Sequence, residues 1–344
     1  MVQLPRLFYN HFMPDYLLES KCLPWPADWT TIFGREAPLY LEIGFGNGQF
    51  LRDLAARHPA GNIVGLEISL PAQRRAARRL QRAGLTNVRL LNADALFGVW
   101  VFFAPGSPAG VFINFPDPWP KPAHHHRRLI NPRFLDLLAD RLPAGAPLEI
   151  ATDHAGYAAQ IEACLLATPY FHSRLPAPFV TEDPQRIRTK YEQIALAAGR
   201  TCHYFKWQRN SRPAGTPFPI PPEYPMPHIV MYSPLPLAEV AAQFVPLAWS
   251  SAAASGRFVD VYASHRAEVL LVDTYVSEEP MTQRIALTIG QRPDNELILG
   301  LHELGFPRPT AGVHHALSAL AGWLQTLHPA MVIRHSNLQV NHAA

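Results

Sequence analysis

The chain alternates short β-like runs with helical patterns from residue 38 to residue 152. The β-like runs predict five strands, at Leu39–Ile43, Asn62–Leu66, Val88–Asn92, Gly110–Phe115 and Pro147–Ala151. Helical patterns lie between and after them, at Gly48–Arg57, Leu70–Ala83, Asn131–Leu142 and Ala155–Leu166. Alternation of this kind is typical of βαβ units, which build a mostly parallel, doubly wound sheet. A further helix near Arg188–Ala198 and a strand near Thr201–Gln208 would complete an α/β domain over residues 1–209.

A proline-rich segment follows the predicted α/β domain. Residues 213–227 contain seven prolines, too many for a helix or a central strand. We interpret residues 210–228 as a semi-rigid linker, a more usual role for such a segment than that of a ligand for an SH3-like partner.

Residues 229–344 predict a second, smaller domain. A helix at Leu237–Leu247 comes first. Four β-like runs and a closing helix follow, near Phe258–Ala263, Ala267–Ser277, Met281–Gly290, Glu296–His302 and Ala311–His328. Strands in a row and then a helix favour a small α+β domain with an antiparallel meander. Its arginines, at positions 257, 266, 284, 292, 308 and 334, are scattered, which favours a structural or self-association role, and thus a homo-oligomer, over RNA binding.

The composition argues against a membrane or secreted protein. No apolar run approaches the ~20 residues that a spanning helix needs, and Met1–Phe12 lacks the apolar core of a signal peptide. Cys22, Cys164 and Cys202 are far apart and lack metal-ligand spacing, so we expect reduced thiols in the cytoplasm. The net charge of +3 is only weak evidence for a nucleic-acid partner.

A glycine-rich turn joins the first predicted strand to its helix. Gly44, Gly46 and Gly48 are spaced differently from the dinucleotide fingerprint, in which the third glycine follows the second by three residues. Glu42 precedes the first glycine by two residues, and a carboxylate there attracts a cation rather than a pyrophosphate. The pattern therefore favours S-adenosyl-L-methionine (SAM), which carries a sulfonium and an ammonium group, with NAD as the minor alternative.

Two more acids follow the next strands. Glu67 ends the second strand, where it could accept hydrogen bonds from ribose hydroxyls, and Asp94 ends the third, where it could meet the adenine edge. The alternative for each acid alone is a helix N-cap. Three acids on successive strands after the glycine turn favour the SAM site.

The segment from Asn114 to Lys121 comes directly after the fourth predicted strand. Asp117 lies between Pro116 and Pro118, whose rings fix φ, and Trp119 follows. The carboxyl ends of strands are where open α/β sheets bind ligands, so Asp117 is a candidate active-site residue. The alternative is an ordinary turn acid between prolines.

A basic tract continues from this loop. Lys121, His124, Arg127 and Arg128 suit contacts with RNA phosphates. The alternative is a metal site in the run of three histidines at 124–126, but consecutive side chains do not converge on one ion.

Two further segments belong to the substrate side. Asp153 follows the fifth strand, on the same edge as Asp117, where the alternative is an N-cap for the next helix. Thr189, Lys190, Tyr191 and Glu192 open a helix, and the spacing of Thr189 and Glu192 matches a capping box, which would alone explain these two residues.

Together these motifs resemble the bacterial tRNA (guanine-N7)-methyltransferase family over residues 35–209. The glycine turn with its acid is shared by many methyltransferases. More specific are the Phe-Pro-Asp-Pro-Trp run at residues 115–119 and the Thr-Lys-Tyr-Glu run at residues 189–192. The resemblance implies a seven-stranded SAM-methyltransferase fold and methylation of a guanine in the variable region of tRNA.

The resemblance also implies roles for single residues. Those that would contact SAM are Glu42, Gly44, Gly46, Gly48, Glu67, Asp94 and Asp117, with Asp117 also in the active site. Those that would face the tRNA are Lys121, His124, Arg127, Arg128, Asp153 and the segment 189–192. This chain departs from the family at Ala123, His126, Ile194 and Ala195, where basic residues or a glycine are usual, which weakens the expected grip on RNA.

Two other functions remain open on the sequence alone. The generic cofactor turn also fits an amino-group or small-molecule SAM methyltransferase. A tRNA-binding protein that has lost catalysis is the third reading, although the acids Glu42, Glu67, Asp94 and Asp117 are all present.

Overall fold

The computed structural model describes residues 16–215, 217–304 and 307–339, and the segment Met1–Phe12 lies outside them. The chain divides into two units, with the division between Ile220 and Pro221. We call them unit 1 and unit 2. Among the described residues, no helix combines the length and the apolar character that crossing a membrane requires.

The described part of unit 1 is built on an eight-stranded sheet. Its strands in chain order are β1 (Leu17–Leu18), β2 (Leu39–Ile43), β3 (Asn62–Glu67), β4 (Val88–Asn92), β5 (Pro108–Asn114), β6 (Pro147–Thr152), β7 (Phe171–Ser173) and β8 (His203–Arg209). They lie in the order β1-β4-β3-β2-β5-β6-β8-β7. All pairs from β1 to β6 are parallel, whereas β8 is antiparallel to both of its neighbours. The predicted seven-stranded, mostly parallel sheet is thus confirmed, with β1 as a two-residue addition at its edge.

Helices cover both faces of this sheet. They are α1 (Trp29–Phe33), α2 (Gln49–Arg57), α3 (Leu70–Arg82), α4 (Ala95–Phe102), α5 (Pro132–Arg141), α6 (Ala155–Ala167) and α7 (Lys190–Ala197). Alternate residues of the strands face opposite layers: Leu41 and Val64 join the core under α4, α5 and α6, whereas Ile63 and Leu90 join the core under α2 and α3. Because both faces are buried, the strands consist of nearly continuous apolar runs, which is why the sequence predicts them well.

Helix α4 was missed in the sequence. Residues 95–102 read Ala-Leu-Phe-Gly-Val-Trp-Val-Phe, apolar on all sides, and the last five are buried. A helix that is buried all round has no polar face, so it gives no 3.6-residue period to detect. The short elements β1, α1 and β7 were missed as well.

Unit 2 contains one antiparallel sheet and two helices in its described residues. The strands are β9 (His228–Tyr232), β10 (Leu247–Ser250), β11 (Ser255–Ala263), β12 (Val269–Glu278), β13 (Met281–Arg292), β14 (Glu296–Leu301) and β15 (Val332–Ser336). Their order is β10-β11-β12-β13-β14-β9-β15. The predicted meander is present from β11 to β14, whereas β9, β10 and β15 were missed.

The helices of unit 2 are α8 (Leu237–Ala242) and α9 (Ala311–Leu327). Leu317 and Leu320 of α9 are buried in the same core as Ile229 and Leu287 of the sheet. The prediction of a helix over Leu237–Leu247 was wrong in its second half, because Leu247 begins β10 instead.

The division between the units falls inside the segment predicted as a linker. Phe218 is buried in unit 1 against Trp100, with ring centroids 4.9 Å apart. The indole of Trp100 donates to the carbonyl of Pro219 (2.8 Å), and Arg141 donates to the carbonyl of Phe218 (2.7 Å). The segment around Phe218 is therefore held by unit 1, while the roles assigned to the two units stay predictions.

Arg141 provides a test of this attachment. Its side chain is fully buried, pairs with Asp140 and also donates to the carbonyl of Trp100. Arg141→Met would leave these acceptors without a donor, so we expect the free energy of unfolding to fall by about 3 kcal/mol. Limited proteolysis should cut within residues 210–220 faster in this variant.

The exposed Arg212 provides the matched control. Arg212→Met should change the free energy of unfolding by no more than about 0.5 kcal/mol. Equal stability and equal proteolysis of the two variants in denaturant titrations would contradict the role given to Arg141.

Candidate active site

A cleft opens at the carboxyl edge of the unit 1 sheet, where the strand order reverses. Strands β3 and β4 lie on one side of β2, and β5 and β6 lie on the other, which is the position where open α/β sheets bind ligands. The cleft is lined by Glu42, Gly44, Phe45, Gly46, Asn47, Phe50, Asn114, Thr189, Lys190 and Tyr191. The end of β2, the glycine turn, the end of β5 and the start of α7 therefore build one site.

The three glycines of the turn all have positive φ. The angles are 72° at Gly44, 53° at Gly46 and 72° at Gly48, in the left-handed region that favours glycine. Gly48 is also needed for packing, since a Cβ atom there would lie 2.6 Å from the Cβ of Ala76 in α3. On the cleft side, the ring of Tyr191 lies 3.5 Å from where a Cβ of Gly46 would stand. At these positions the turn has no side chains, so its backbone packs closely against α3 on one side and Tyr191 on the other.

Glu42 is the central acid of the cleft. It is 1% exposed, and its Oε1 accepts a hydrogen bond from Asn114 Nδ2 at 3.1 Å. Its Oε2 is buried and has no hydrogen-bond partner among the described residues. Burial raises the pKa of Glu42 to about 8, while the bond from Asn114 and the charge of Arg186 act in the opposite direction. A buried acceptor without a donor, in a cleft of bare glycine backbone, fits the ammonium group of SAM.

Arg186, which the sequence analysis did not single out, links this acid to α7. Its guanidinium donates to Asn114 Oδ1, and its Nε lies 3.5 Å from Glu192 Oε2, an ion pair without hydrogen-bond geometry. The side chain is 3% exposed and lies over the ring of Phe50 at 5.5 Å. A single arginine in an irregular segment gives no periodic signal, so only its spacing of three residues before Thr189 could have indicated it.

The predicted capping box at the start of α7 is present. Thr189 Oγ1 accepts from the backbone N–H of Glu192, and Glu192 Oε2 accepts from that of Thr189. Tyr204 donates its hydroxyl to Glu192 Oε1 at 2.8 Å, and burial together with this bond raises the pKa of Tyr204. Glu192 is thus turned into the protein, which does not fit a direct contact with tRNA. Lys190 and Tyr191, which are exposed and line the cleft, do fit one.

Glu67 and Asp94 lie at the ends of β3 and β4, next along the edge from Glu42. Glu67 Oε2 accepts from the backbone N–H of Gly46 (3.0 Å) and Oε1 from that of Ser69 (2.9 Å). Glu67 therefore fixes the glycine turn, and each of its oxygens keeps a second lone pair. Asp94 is exposed and caps α4 through Oδ1, which confirms the N-cap alternative and leaves Oδ2 out of the cap. Their contacts with ribose and adenine stay predictions.

The loop that carries Asp117 is held in an unusual backbone conformation. Phe115 (φ 51°) and Trp119 (φ 42°), one on either side of Asp117, are bulky residues in the left-handed region. Such conformations cost about 1–3 kcal/mol each and persist only where neighbouring structure enforces them. Asp117 itself is exposed and does not line the cleft.

Arg128 is part of what enforces the loop. It is 3% exposed, donates to the carbonyl of Pro118 at 2.7 Å and to Gln160 Oε1 at 2.8 Å, and lies over the ring of Tyr157. Its prediction as a phosphate contact does not fit this position, because the guanidinium is already enclosed. Sequence could not distinguish it from Arg127, which is exposed and lies over Trp119 at 4.9 Å.

The rest of the basic tract is at the surface. Residues Pro122–Arg127 form a 3-10 helix, with Lys121 and Arg127 exposed and His124 against the edge of Trp119. These three residues remain candidates for contacts with RNA.

The alternative role of Asp153 was that of N-cap of the next helix, but in the structure the N-cap of α6 is the neighbouring His154. His154 Nδ1 accepts from the backbone N–H of Tyr157 at 3.1 Å. Asp153 Oδ2 instead pairs with Arg200 Nη1 at 2.7 Å. Asp153 is therefore free of the helix and stays a candidate for substrate recognition.

Comparisons with known proteins indicate the family of the chain. A family of putative methyltransferases matches residues 36–205. The tRNA (guanine-N(7)-)-methyltransferase of Thermus thermophilus is 33% identical over 302 residues, 88% of this chain and 93% of that protein. The enzyme of the same name from Syntrophotalea carbinolica is 38% identical over 195 residues, 57% of this chain and 84% of that protein.

The two alignments differ in extent. The first must include much of unit 2, since unit 1 ends at residue 220. Among solved structures, the 16S rRNA methyltransferase KamB is 13% identical, with a TM-score of 0.42 over 54% of this chain and 95% of its own.

The raised pKa of Glu42 predicts proton release when a cationic ligand binds. At pH 7 the free protein holds Glu42 mostly protonated, since its pKa is about 8. An ammonium group beside Oε2 stabilises the carboxylate and lowers this pKa, so binding SAM at pH 7 should release close to one proton. Affinity should rise between pH 6 and pH 8 by up to about tenfold per unit.

Calorimetry at pH 7 in buffers of different ionisation enthalpy measures this release. Glu42→Gln, which keeps the shape and cannot ionise, should bind more weakly and release no proton. Equal proton release by the two proteins would show that another group titrates.

Arg186 predicts a stability effect. Arg186→Met would leave the buried carboxylate of Glu192 without its cation, so the free energy of unfolding should fall by about 3 kcal/mol. Arg188→Met, at an exposed position two residues later, should change it by at most about 0.5 kcal/mol. Urea unfolding of both variants measures the difference, and equal values would refute the network.

Proposed function

The chain belongs to the tRNA (guanine-N7)-methyltransferase family, and we propose that it methylates N7 of a guanine in the variable region of tRNA with SAM as the methyl donor. The observation that carries the cofactor side is the unpartnered, buried Oε2 of Glu42 beside the bare glycine turn. The identity with the Thermus thermophilus enzyme over 88% of the chain carries the substrate side.

On the cofactor side, the chain supplies a set of fixed polar groups. Glu42 would hold the ammonium group. Glu67 fixes the glycine turn by accepting a hydrogen bond from the backbone N–H of Gly46. Asp94 caps α4 with Oδ1, so its Oδ2 would be available to the cofactor. When bound, SAM supplies an electrophilic methyl group on its sulfonium. The chain's own task is to orient that group toward the base.

The chemistry at guanine N7 needs little from a catalytic side chain. The nitrogen already carries a lone pair, so no proton has to be removed before transfer. Proximity and alignment in the cleft can therefore supply much of the rate. The methylated ring is cationic, and a fixed carboxylate near it stabilises charge as it develops. We assign this role to Asp117, which is exposed outside the cleft lining and precedes Pro118, whose carbonyl accepts a hydrogen bond from Arg128.

Selection of guanine requires acceptors for its N1–H and its amino group. Asp153 at the end of β6 is the candidate, with Arg200 holding one of its oxygens. Adenine lacks a hydrogen on N1, so this pair of acceptors disfavours it. The base must leave its stack to reach the cleft. The exposed Lys121 and Arg127 and the half-buried His124 would contact the phosphates beside it.

The setting of the reaction follows from the substrate. A chain that acts on tRNA would work in the cytoplasm. A homo-oligomer formed through unit 2 remains a prediction, which sedimentation of the full chain would test.

Nucleoside analysis separates the candidate functions. Unmodified tRNA is incubated with the protein and labelled SAM, then digested. A labelled N7-methylguanosine peak supports the proposal. A different labelled nucleoside, or label on a small molecule only, would favour another methyltransferase activity, and binding of SAM without transfer would indicate an inactive RNA-binding protein.

Asp117 gives the sharpest variant for this reaction. Removing one group that stabilises developing charge commonly costs about 10²–10³ in kcat. We therefore expect Asp117→Ala to lower kcat at least a hundredfold while tRNA binding changes less than threefold. Glu182→Ala, at another exposed acid of unit 1, is the control and should retain full activity. Near-normal methylation by Asp117→Ala would remove Asp117 from the mechanism.

A further inference from the structure

Helix α3 carries the densest positive charge in the chain. Five of its thirteen residues are arginine and none is acidic; the arginines are Arg74, Arg75, Arg78, Arg79 and Arg82. At about 100° per residue they occupy an arc of about 140° on one side of the helix. The opposite side, with Ala72, Ala76 and Leu80, is buried against the sheet. We call the five arginines the α3 arginine face.

This charge has no counter-ion in the described part of the chain. None of the ion pairs found there includes a residue of α3. In unit 2, by contrast, Arg284 is paired with Asp273 and Arg308 with Glu223. The chain's net charge is +3 and α3 alone carries +5, so all other residues together carry −2.

Helix stability does not explain the arrangement. Arg74 and Arg78, Arg78 and Arg82, and Arg75 and Arg79 are each four residues apart, and like charges at this spacing destabilise a helix by about 0.2–0.5 kcal/mol per pair. The helix dipole favours cations only in the last turn, which contains Arg79 and Arg82. The first three arginines therefore lie outside the region that would benefit.

The arginine face belongs to a helix that touches the cofactor turn. Ala76 packs against Gly48 so closely that a Cβ on the glycine would lie 2.6 Å away. The connection from β3 into α3 contains Glu67, which holds Gly46. The buried side of α3 therefore packs on the cofactor turn, and its arginines lie on the outer side of the same helix.

We propose that the α3 arginine face binds the sugar-phosphate backbone of the tRNA substrate, apart from the tract at residues 121–127. This inference rests on the proposed function, which supplies the polyanion. Arginine suits phosphate because its planar fork donates two parallel hydrogen bonds. The nine residues from Arg74 to Arg82 cover about 12 Å of helix axis, enough for about three phosphates of one strand. An anionic membrane is a poorer partner, because the apolar side of α3 is already buried.

The test compares triple variants of equal charge change. Arg74→Gln/Arg78→Gln/Arg82→Gln removes one row of the face. Arg266→Gln/Arg292→Gln/Arg334→Gln removes three exposed arginines of unit 2 and is the matched control. The third protein is Arg74→Lys/Arg78→Lys/Arg82→Lys. It keeps the positive charge and loses only the planar guanidinium groups, with their paired donors.

Direct tRNA binding as a function of salt is the main readout. Each lost phosphate contact reduces the slope of log K against log salt by about 0.7–0.9. The α3 glutamine variant should therefore lose about two units of slope and at least tenfold in affinity. The control should stay within twofold of the unchanged protein, and the lysine variant within about fivefold, since it retains the point charges.

Catalysis separates this inference from the proposed function. The α3 glutamine variant should show a raised KM for tRNA, kcat within twofold at saturating tRNA and unchanged affinity for SAM. If it binds tRNA with the affinity and salt slope of the control, the α3 proposal is wrong even though the protein methylates tRNA. If the unchanged protein methylates no tRNA, the proposed function fails, and the binding titration still decides the α3 proposal.

A single variant guards against misfolding of the triple one. Arg78→Gln alters one exposed side chain and should reduce the salt slope by about 0.8. A slope equal to that of the unchanged protein would overturn the proposal.

Discussion

The buried carboxyl group of Glu42 is the constraint on which the rest of the site depends. A carboxylate out of water must be neutralised or supplied with hydrogen bonds, and here Asn114 provides one bond while Arg186 holds Asn114. Arg186 in turn lies against Glu192 and thereby reaches α7. The ends of β2 and β5 and the segment that leads into α7 are thus connected around Glu42, whose second oxygen has no hydrogen-bond donor among the described residues.

The same arrangement explains why the cofactor and substrate sides are one structure. The start of α7 contributes Lys190 and Tyr191 to the cleft, and the capping box positions both residues by turning Thr189 and Glu192 inward. Thr189 and Glu192 thus hold the start of the helix, while Lys190 and Tyr191 are exposed beside the cleft.

The sequence predicted much of the fold because the strands of unit 1 are buried on both faces. Strands β2 and β4 begin and end at the predicted residues, and Gly48 begins α2 as its N-cap rather than as its first residue. The predictions that were wrong or missing concern features that depend on three-dimensional context. The apolar α4 has no period, and Arg128 differs from Arg127 only in the direction its side chain takes. The N-cap of α6 is His154, whereas the sequence offered Asp153 only as an alternative N-cap, and no local pattern distinguishes the two. Arg186 was not found because Asn114 and Phe50, two of the residues it contacts, lie far from it in sequence.

The left-handed backbone at Phe115 and Trp119 has a consequence for substitutions in this loop. Glycine at either position would remove the local strain, but it would also let the loop sample many more conformations. A substitution that relieves the strain at either position would therefore also loosen the position of Asp117, which lies between them.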